Sequence, residues 1–136
     1  VVRILAPQAA GSTNVNTSSI NTAGFESVEF IIGVGTLTAT QVTSVKAQQS
    51  NDNAVTDDWT DIVGASTTAF ADAQGNTFAR LEVFNPQKPW VRAVVLRGTA
   101  NAVVDLGLAI LSGPGGEPIT EHNTVVQTKT VYGAGE

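Results

Sequence analysis

Cysteine is absent from the 136 residues, which removes disulfides, zinc–thiolate sites and a thiol nucleophile together. Methionine is absent too, and the missing initiator leads us to expect a processed or trimmed chain. Basic residues are scarce: seven Lys and Arg stand against twelve Asp and Glu, a net charge of -5. That is the wrong sign for a surface that gathers phosphates, so no nucleic acid partner is expected. No apolar run approaches the ~18 to 20 residues of a membrane span, and residues 1–6 are too short for a signal-peptide core, so no membrane partner is expected either. Helix formers are thin, with Glu and Lys together supplying 9 residues. Val, Ile and Thr supply 42 of the 136, a balance that favours strands. The length suits one domain with one core.

The apolar periodicity is that of strands. Residues 1–5 read as a short apolar strand or anchoring arm, and residues 6–22 are rich in Ala, Ser, Thr and Asn, a composition ordered only if something holds it. From Val28 the alternation is regular: Val28, Phe30, Ile32 and Val34 share a face, with Glu29, Ile31 and Gly33 on the other. A second strand covers about 41–49, with Val45 and Ala47 inward, and Ser50-Asn51-Asp52-Asn53 marks a turn. Trp59 to Val63 reads as a short strand closed by Gly64, and residues 65–73 as a loop or a single turn. Phe78, Arg80, Glu82 and Phe84 alternate with Ala79, Leu81 and Val83, and the alternation resumes at Trp90 after the two prolines of the 85–89 break. A hairpin centred on Gln87 would set Glu82 opposite Arg92, Phe84 opposite Trp90 and Leu81 opposite Ala93. In the last strong strand Val104, Leu106, Leu108 and Ile110 share a face on strict alternation, and Gly113 to Gly116 end the compact part.

These elements define an all-β protein, a single antiparallel β-sandwich or jelly roll with extended N- and C-terminal arms. The expected organisation is an arm or strand over 1–23, a sandwich over 24–112 and a C-terminal arm over 113–136. The expected core is Phe30, Ile32, Val45, Leu81, Val83, Val91, Ala93, Val95, Val104, Leu106 and Leu108. The arms carry the expected partner-binding residues: Val1, Val2, Ile4 and Leu5 at one end and Val125, Val126, Val131 and Tyr132 at the other. Both stretches have the β-branched character to add to a strand edge, and an isolated monomer is expected to bury little of either.

No constellation carries catalysis. The single histidine, His122, lies in the C-terminal stretch, where a triad or a histidine-based metal site would lack converging partners. Asp52, Asp57, Asp58 and Asp61 are the best oxygen ligands for calcium, but the ordered calcium-loop spacing is missing and Asp and Asn also build turns. Gly33-Val34-Gly35 and Gly113 to Gly116 lack the following helix of a phosphate cradle and read as turn or bulge positions. Asn16-Thr17-Ser18 matches a glycosylation sequon, a weak three-residue pattern. Trp59, Trp90 and Tyr132 could form a sugar platform, although tryptophans in a small sandwich more often pack. The expectation is therefore no enzyme, no cofactor and no catalytic or metal site.

The stretch Ile20-Asn21-Thr22-Ala23-Gly24-Phe25-Glu26-Ser27-Val28-Glu29-Phe30, running into Gly33-Val34-Gly35-Thr36-Leu37, resembles the opening of small structural proteins from tailed phages and prophages. Gln49-Ser50-Asn51-Asp52 with Trp59, Lys88-Pro89-Trp90-Val91-Arg92 and Thr99-Ala100-Asn101-Ala102 are similar to their later segments. The resemblance spans roughly 20–118. It departs in a longer acidic loop over 53–58 and in the extension past Pro118. It implies a capsid decoration, or cement, protein on the outer surface of the phage head, bound to the major capsid protein and clustered as trimers. Two other readings stand beside it: a carbohydrate-binding or adhesive virion module, and another head or tail component.

Overall fold

The computed structural model describes residues 1–113 and 124–127. Among the described residues there are ten strands: β1 (Val2–Leu5), β2 (Gln8–Gly11), β3 (Val15–Asn16), β4 (Ile20–Asn21), β5 (Ser27–Leu37), β6 (Val42–Ser50), β7 (Thr60–Ser66), β8 (Thr77–Phe84), β9 (Trp90–Gly98) and β10 (Ala102–Ser112). They form two five-stranded antiparallel sheets packed as a β-sandwich. Sheet A runs β1-β10-β5-β8 with β2 also on β10, and sheet B runs β3-β9-β6-β7 with β4 also on β9. From β5 onward only the β6–β7 connection stays within one sheet; every other connection crosses the sandwich. The core fills the space between the inner faces. Val28, Phe30 and Ile32 of β5 face Val45 and Ala47 of β6 and Val91, Ala93 and Val95 of β9, all without solvent contact.

The long β5 is built by its β-branched and aromatic alternation, which fits a surface buried on one side. Its partner β10 follows a different rule from the one strict alternation gives. The pairing jumps from Val104↔Val34 to Leu106↔Gly33, so that Asp105 is an extra residue. A bulge of this kind inverts the facing of every residue beyond it. Val104 points inward, but past the bulge Gly107 and Ala109 are the buried residues, while Leu106 and Leu108 are half-exposed on the outer face. The two leucines expected in the core are thus corrected to the outside. Gly33 serves the bulge as expected of it, because a Cβ there would meet Asp105 Oδ1 at 2.9 Å and Leu106 Cβ at 3.0 Å. Leu81 is half-buried against the core, and the remaining expected core residues are buried in it.

The hairpin between β8 and β9 is also corrected. Strand β8 pairs with β5, placing Glu82 opposite Glu29, and β9 pairs with β6, placing Arg92 opposite Gln48. The two strands lie in different sheets. Residues 85–89 cross between them because their anchors are split: Asn85 N–H donates to Glu26 O just before β5, while Lys88 N–H donates to Gln49 Oε1 and Pro89 O accepts from Thr22 N–H on the sheet B side. In β7 the strand continues through Gly64, whose φ of +78° supports a shift in register from Gln48↔Asp61 to Lys46↔Ser66.

The N-terminal stretch is woven into the sandwich. β1 and β2 extend sheet A along β10, and β3 and β4 extend sheet B along β9. Val2, Ile4, Leu5, Val15 and Ile20 all join the core. The expectation of an arm that buries little is corrected for this end of the chain, because apolar side chains at 2, 4, 5, 15 and 20 have an inner face to fill. Polar anchors hold what the composition alone would leave loose. Thr17 exchanges two bonds with the Ala93 backbone, Ser18 N–H donates to Ile4 O, and Thr22 N–H and Oγ1–H both donate to Pro89 O.

At the crossing from β2 to β3 sits Arg97, 6% exposed. Its Nε–H donates to Thr13 O at 2.8 Å, and its Nη1 donates to Ala9 O at 2.8 Å and Ala102 O at 2.9 Å. Gly11 lies against the guanidinium so closely that a Cβ there would stand 3.0 Å from Nη2. A planar fork holds its donors far apart in a fixed geometry and so ties carbonyls of β2, of the 12–14 connection and of β10, a spread that a point-like ammonium does not span.

Candidate interaction surface

The two outer faces of the sandwich differ in chemistry. On sheet B, Ser44, Lys46 and Gln48 of β6 lie beside Arg92, Val94 and Leu96 of β9. Asp61 at the end of the row accepts from Lys46 Nζ at 3.1 Å and from Gln48 Nε2 at 2.8 Å, and these two bonds, the Gln48 amide first, hold its carboxyl below the usual range. Arg92 donates to Gln48 Oε1 and stacks over Trp59, with its guanidinium carbon 4.6 Å from the ring centre. Burial pushes the Arg92 guanidinium down. The polar groups of this face are internally paired, with Val42, Val94 and Leu96 as its apolar members.

Sheet A presents the opposite character. Leu106, Leu108 and Ile110 of β10 lie beside Gly33, Ile31 and Glu29 of β5, and beyond them run Phe78, Arg80, Glu82 and Phe84 of β8. Ile31 and the three β10 side chains are half-exposed, and Phe78 and Phe84 are 61% and 64% exposed. Six large apolar residues share this solvent-facing sheet, interrupted by Glu29, Arg80 and Glu82 and flanked by Arg3, and exposed apolar area of this extent marks an interaction surface. Glu29 accepts from Arg80 Nε in a close ion pair that raises the guanidinium pKa.

The acidic turn that raised the calcium question is engaged with its own backbone. Asp52 Oδ1 accepts the N–H groups of Val55 and Asp57, both at 3.1 Å, and Oδ2 accepts the Thr56 N–H at 2.8 Å and the Thr56 hydroxyl. The Thr56 hydroxyl, then the Asp57 N–H, hold the Asp52 carboxyl down to about 2. Asp57 accepts from Lys88 Nζ at 2.7 Å and from Asn51 N–H at 2.8 Å, the Lys88 bond being the larger cause of its lowered pKa. Among the described residues no group of three His, Cys, Asp or Glu side chains is arranged to hold a metal ion. Two surface depressions beside β7, of about 380 and 240 Å³, are lined from β6 and β8 and not by the acidic turn.

The expected partner-binding residues are divided. Val2, Ile4 and Leu5 face the core and are unavailable to a partner, while Val1 is 53% exposed. Val125 is half-buried and Val126 87% exposed, next to Thr124, whose Oγ1 accepts the Arg3 N–H at 3.2 Å. Val131, Tyr132 and His122 lie outside the described residues. Trp59 and Trp90 are half-buried, and one face of Trp59 is covered by Arg92. The sheet A face was not among the expected surfaces, although Ile31, Phe78 and Phe84 signal it as large apolar residues on the polar side of otherwise regular alternations. No protein-family model, no curated protein and no solved structure matches this chain.

Proposed function

We propose that this protein is a non-enzymatic binding module, and specifically a virion structural protein that decorates the outside of a tailed-phage capsid. The observation that carries the reading is the half-exposed apolar face of sheet A, which a β-sandwich with no further task would cover with polar side chains. The likeness of residues 20–118 to phage head structural proteins supplies the identity of the surface it meets, the major capsid protein. A sheet face of this type adds interface area at a seam between capsid subunits, and repetition over the shell multiplies modest contacts. Clustering as trimers belongs to the same reading.

The sugar-binding alternative needs an open aromatic platform, and Arg92 over Trp59 removes one ring face from it. The test is re-decoration of heads of the phage that encodes this chain, after the protein has been stripped, read by cryo-electron microscopy. Wild type should approach one copy per major capsid subunit, whereas Leu108→Asp should leave the heads bare while keeping its own melting curve. A reconstruction in which the chain is absent from the shell, or confined to about a dozen copies at one vertex, would overturn the reading.

A further inference from the structure

Sheet edges attract other strands, and proteins blunt them with short strands, prolines, bulges or charge. Three of the edges here are blunted. β1 and β2 are four residues each with Pro7 between them, β3 and β4 are two residues each, and β7 carries a register shift where it runs through Gly64. β8 is different. It is eight residues long, contains neither proline nor bulge, and pairs with β5 residue by residue from Ser27↔Phe84 to Val34↔Thr77. Among the described residues no strand pairs with its other edge.

The outward row of β8 has a symmetric order. Phe78, Arg80, Glu82 and Phe84 lie on the outer face, with Ala79, Leu81 and Val83 turned inward. We propose that β8 is a homotypic two-fold interface, through which two copies of this chain pair antiparallel about Leu81 and join their A sheets edge to edge. In that register Arg80 of each copy stands opposite Glu82 of the other, and Phe78 stands opposite Phe84. Leu81 meets Leu81, and Ala79 meets Val83. Oppositely charged and aromatic cross-strand pairs are the favourable ones.

Neighbouring registers are disfavoured by the same residues. Antiparallel pairing that keeps outward side chains together can centre on Arg80, on Leu81 or on Glu82. Centring on Arg80 places two guanidinium groups on the axis, and centring on Glu82 places two carboxylates there. Only the Leu81 register among the three pairs unlike charges. It also answers a conflict within the monomer. Glu82 lies opposite Glu29 on β5, the Arg80 guanidinium is engaged by Glu29, and Glu82 has no ion pair within 4 Å among the described residues. A second copy brings its own Arg80 to Glu82. A closed two-fold contact limits the edge to one partner, as an isologous interface does. It is compatible with trimers, since it would link one cluster to the next. The inference concerns the free protein and does not rest on the capsid reading.

Sedimentation velocity of the full chain over a dilution series tests it. Wild type should show a concentration-dependent monomer–dimer equilibrium. Arg80→Glu and Glu82→Arg each place like charges opposite one another twice per interface, so each alone should raise the dimer Kd at least about tenfold. Mixed in equal amounts, the two variants should form a heterodimer near wild-type affinity, since one copy then presents carboxylates at both positions and the other presents guanidinium groups at both. At monomeric concentration the circular dichroism melt of Glu82→Arg should match wild type, while Arg80→Glu, which also loses its ion pair with Glu29, should melt a few degrees lower in one cooperative transition. Backbone amides of β8 should become protected from hydrogen exchange as concentration rises. A wild type that stays monomeric throughout overturns the proposal. So do single variants that associate like wild type, a mixture that fails to associate, and β8 protection that is independent of concentration, which would mean that the chain covers its own edge.

Discussion

Replacing Arg97 tests whether the crossing of the N-terminal segment depends on one buried guanidinium. In Arg97→Ala three carbonyls lose their donor, but not equally. Ala102 is fully buried, so its oxygen is stranded, and an unmet buried acceptor costs about 1 to 3 kcal/mol. Ala9 and Thr13 are exposed, so water can replace the guanidinium at their oxygens, and each lost charged bond counts for about 1 kcal/mol. The void beneath Gly11 adds packing loss, offset by the guanidinium's return to water. The sum is a destabilisation of about 3 to 5 kcal/mol. For a chain of this length 1 kcal/mol moves Tm by about 3 to 4 °C, so the melt should fall by about 10 to 20 °C. Arg97→Met keeps the stem but not the donors, and should recover less than half of the loss. Arg97→Lys restores charge without the fork and should fall between Met and wild type. Urea unfolding followed by tryptophan fluorescence gives the free energies, and hydrogen exchange should show β1 to β4 exposed first. An alanine variant melting within about 3 °C of wild type, or a methionine variant equal to wild type, would refute the reasoning.

Two further outcomes follow from the bulge and from the acidic turn. Leu106→Ala should cost less than about 1 kcal/mol because that side chain is half-exposed on the outer face, whereas Phe30→Ala, fully buried, should cost about 3 to 5 kcal/mol; equal losses in urea unfolding would show that the bulge at Asp105 is misassigned. The Asp52 carboxyl, held at about 2 against an ordinary 3.8, is the depressed-pKa case: its contribution is present above the ordinary value and is lost as pH falls from 3.8 toward 2. Wild type should therefore melt above Asp52→Asn at neutral pH, and the two melting temperatures should converge between those limits. A difference that persists undiminished at about pH 2, or that vanishes above about pH 5, would contradict the hydrogen-bond pattern.

How much of this was legible in the sequence depends on how far apart the deciding groups lie. The inner face of β5 was legible because Val28, Phe30, Ile32 and Val34 alternate without interruption, and the turn after β6 was legible because Asp52 and Ser50 bond within a few residues of themselves. The β10 face was not. Strict alternation carried Leu106 and Leu108 inward, and the reversal depends on Asp105 beside Gly33, a glycine far away in the chain whose missing Cβ makes the room. The supposed hairpin failed for the same reason. Glu82 and Arg92 form a good pair on paper, but Gln48 and Trp59 engage Arg92 and β5 takes β8, and both claims are long-range. Composition left the order of residues 6–22 conditional on a hold from elsewhere, and the hold is long-range: Thr17, Thr22 and the carbonyls of Ala9 and Thr13 find partners on distant strands and loops.

The placement of the N-terminal segment bears on which surfaces remain free for partners. By lying along β10 in sheet A and then along β9 in sheet B, it covers one flank of both sheets with short, broken strands that make poor templates. Val2, Ile4 and Leu5 are then part of the fold, so strand addition by that end would have to unfold it. The opposite flank keeps β8 regular and, among the described residues, bare along its outer edge, and the apolar face of sheet A runs from β10 up to that edge. Two surfaces of different kinds therefore meet along one strand: a backbone edge that selects by register and charge order, and a side-chain face that selects by apolar area. Phe78 and Phe84 belong to both. Their replacement should weaken self-pairing and face binding together, whereas the charge exchanges at Arg80 and Glu82 act on the edge and Leu108 on the face. The separation of those effects makes each surface testable without the other.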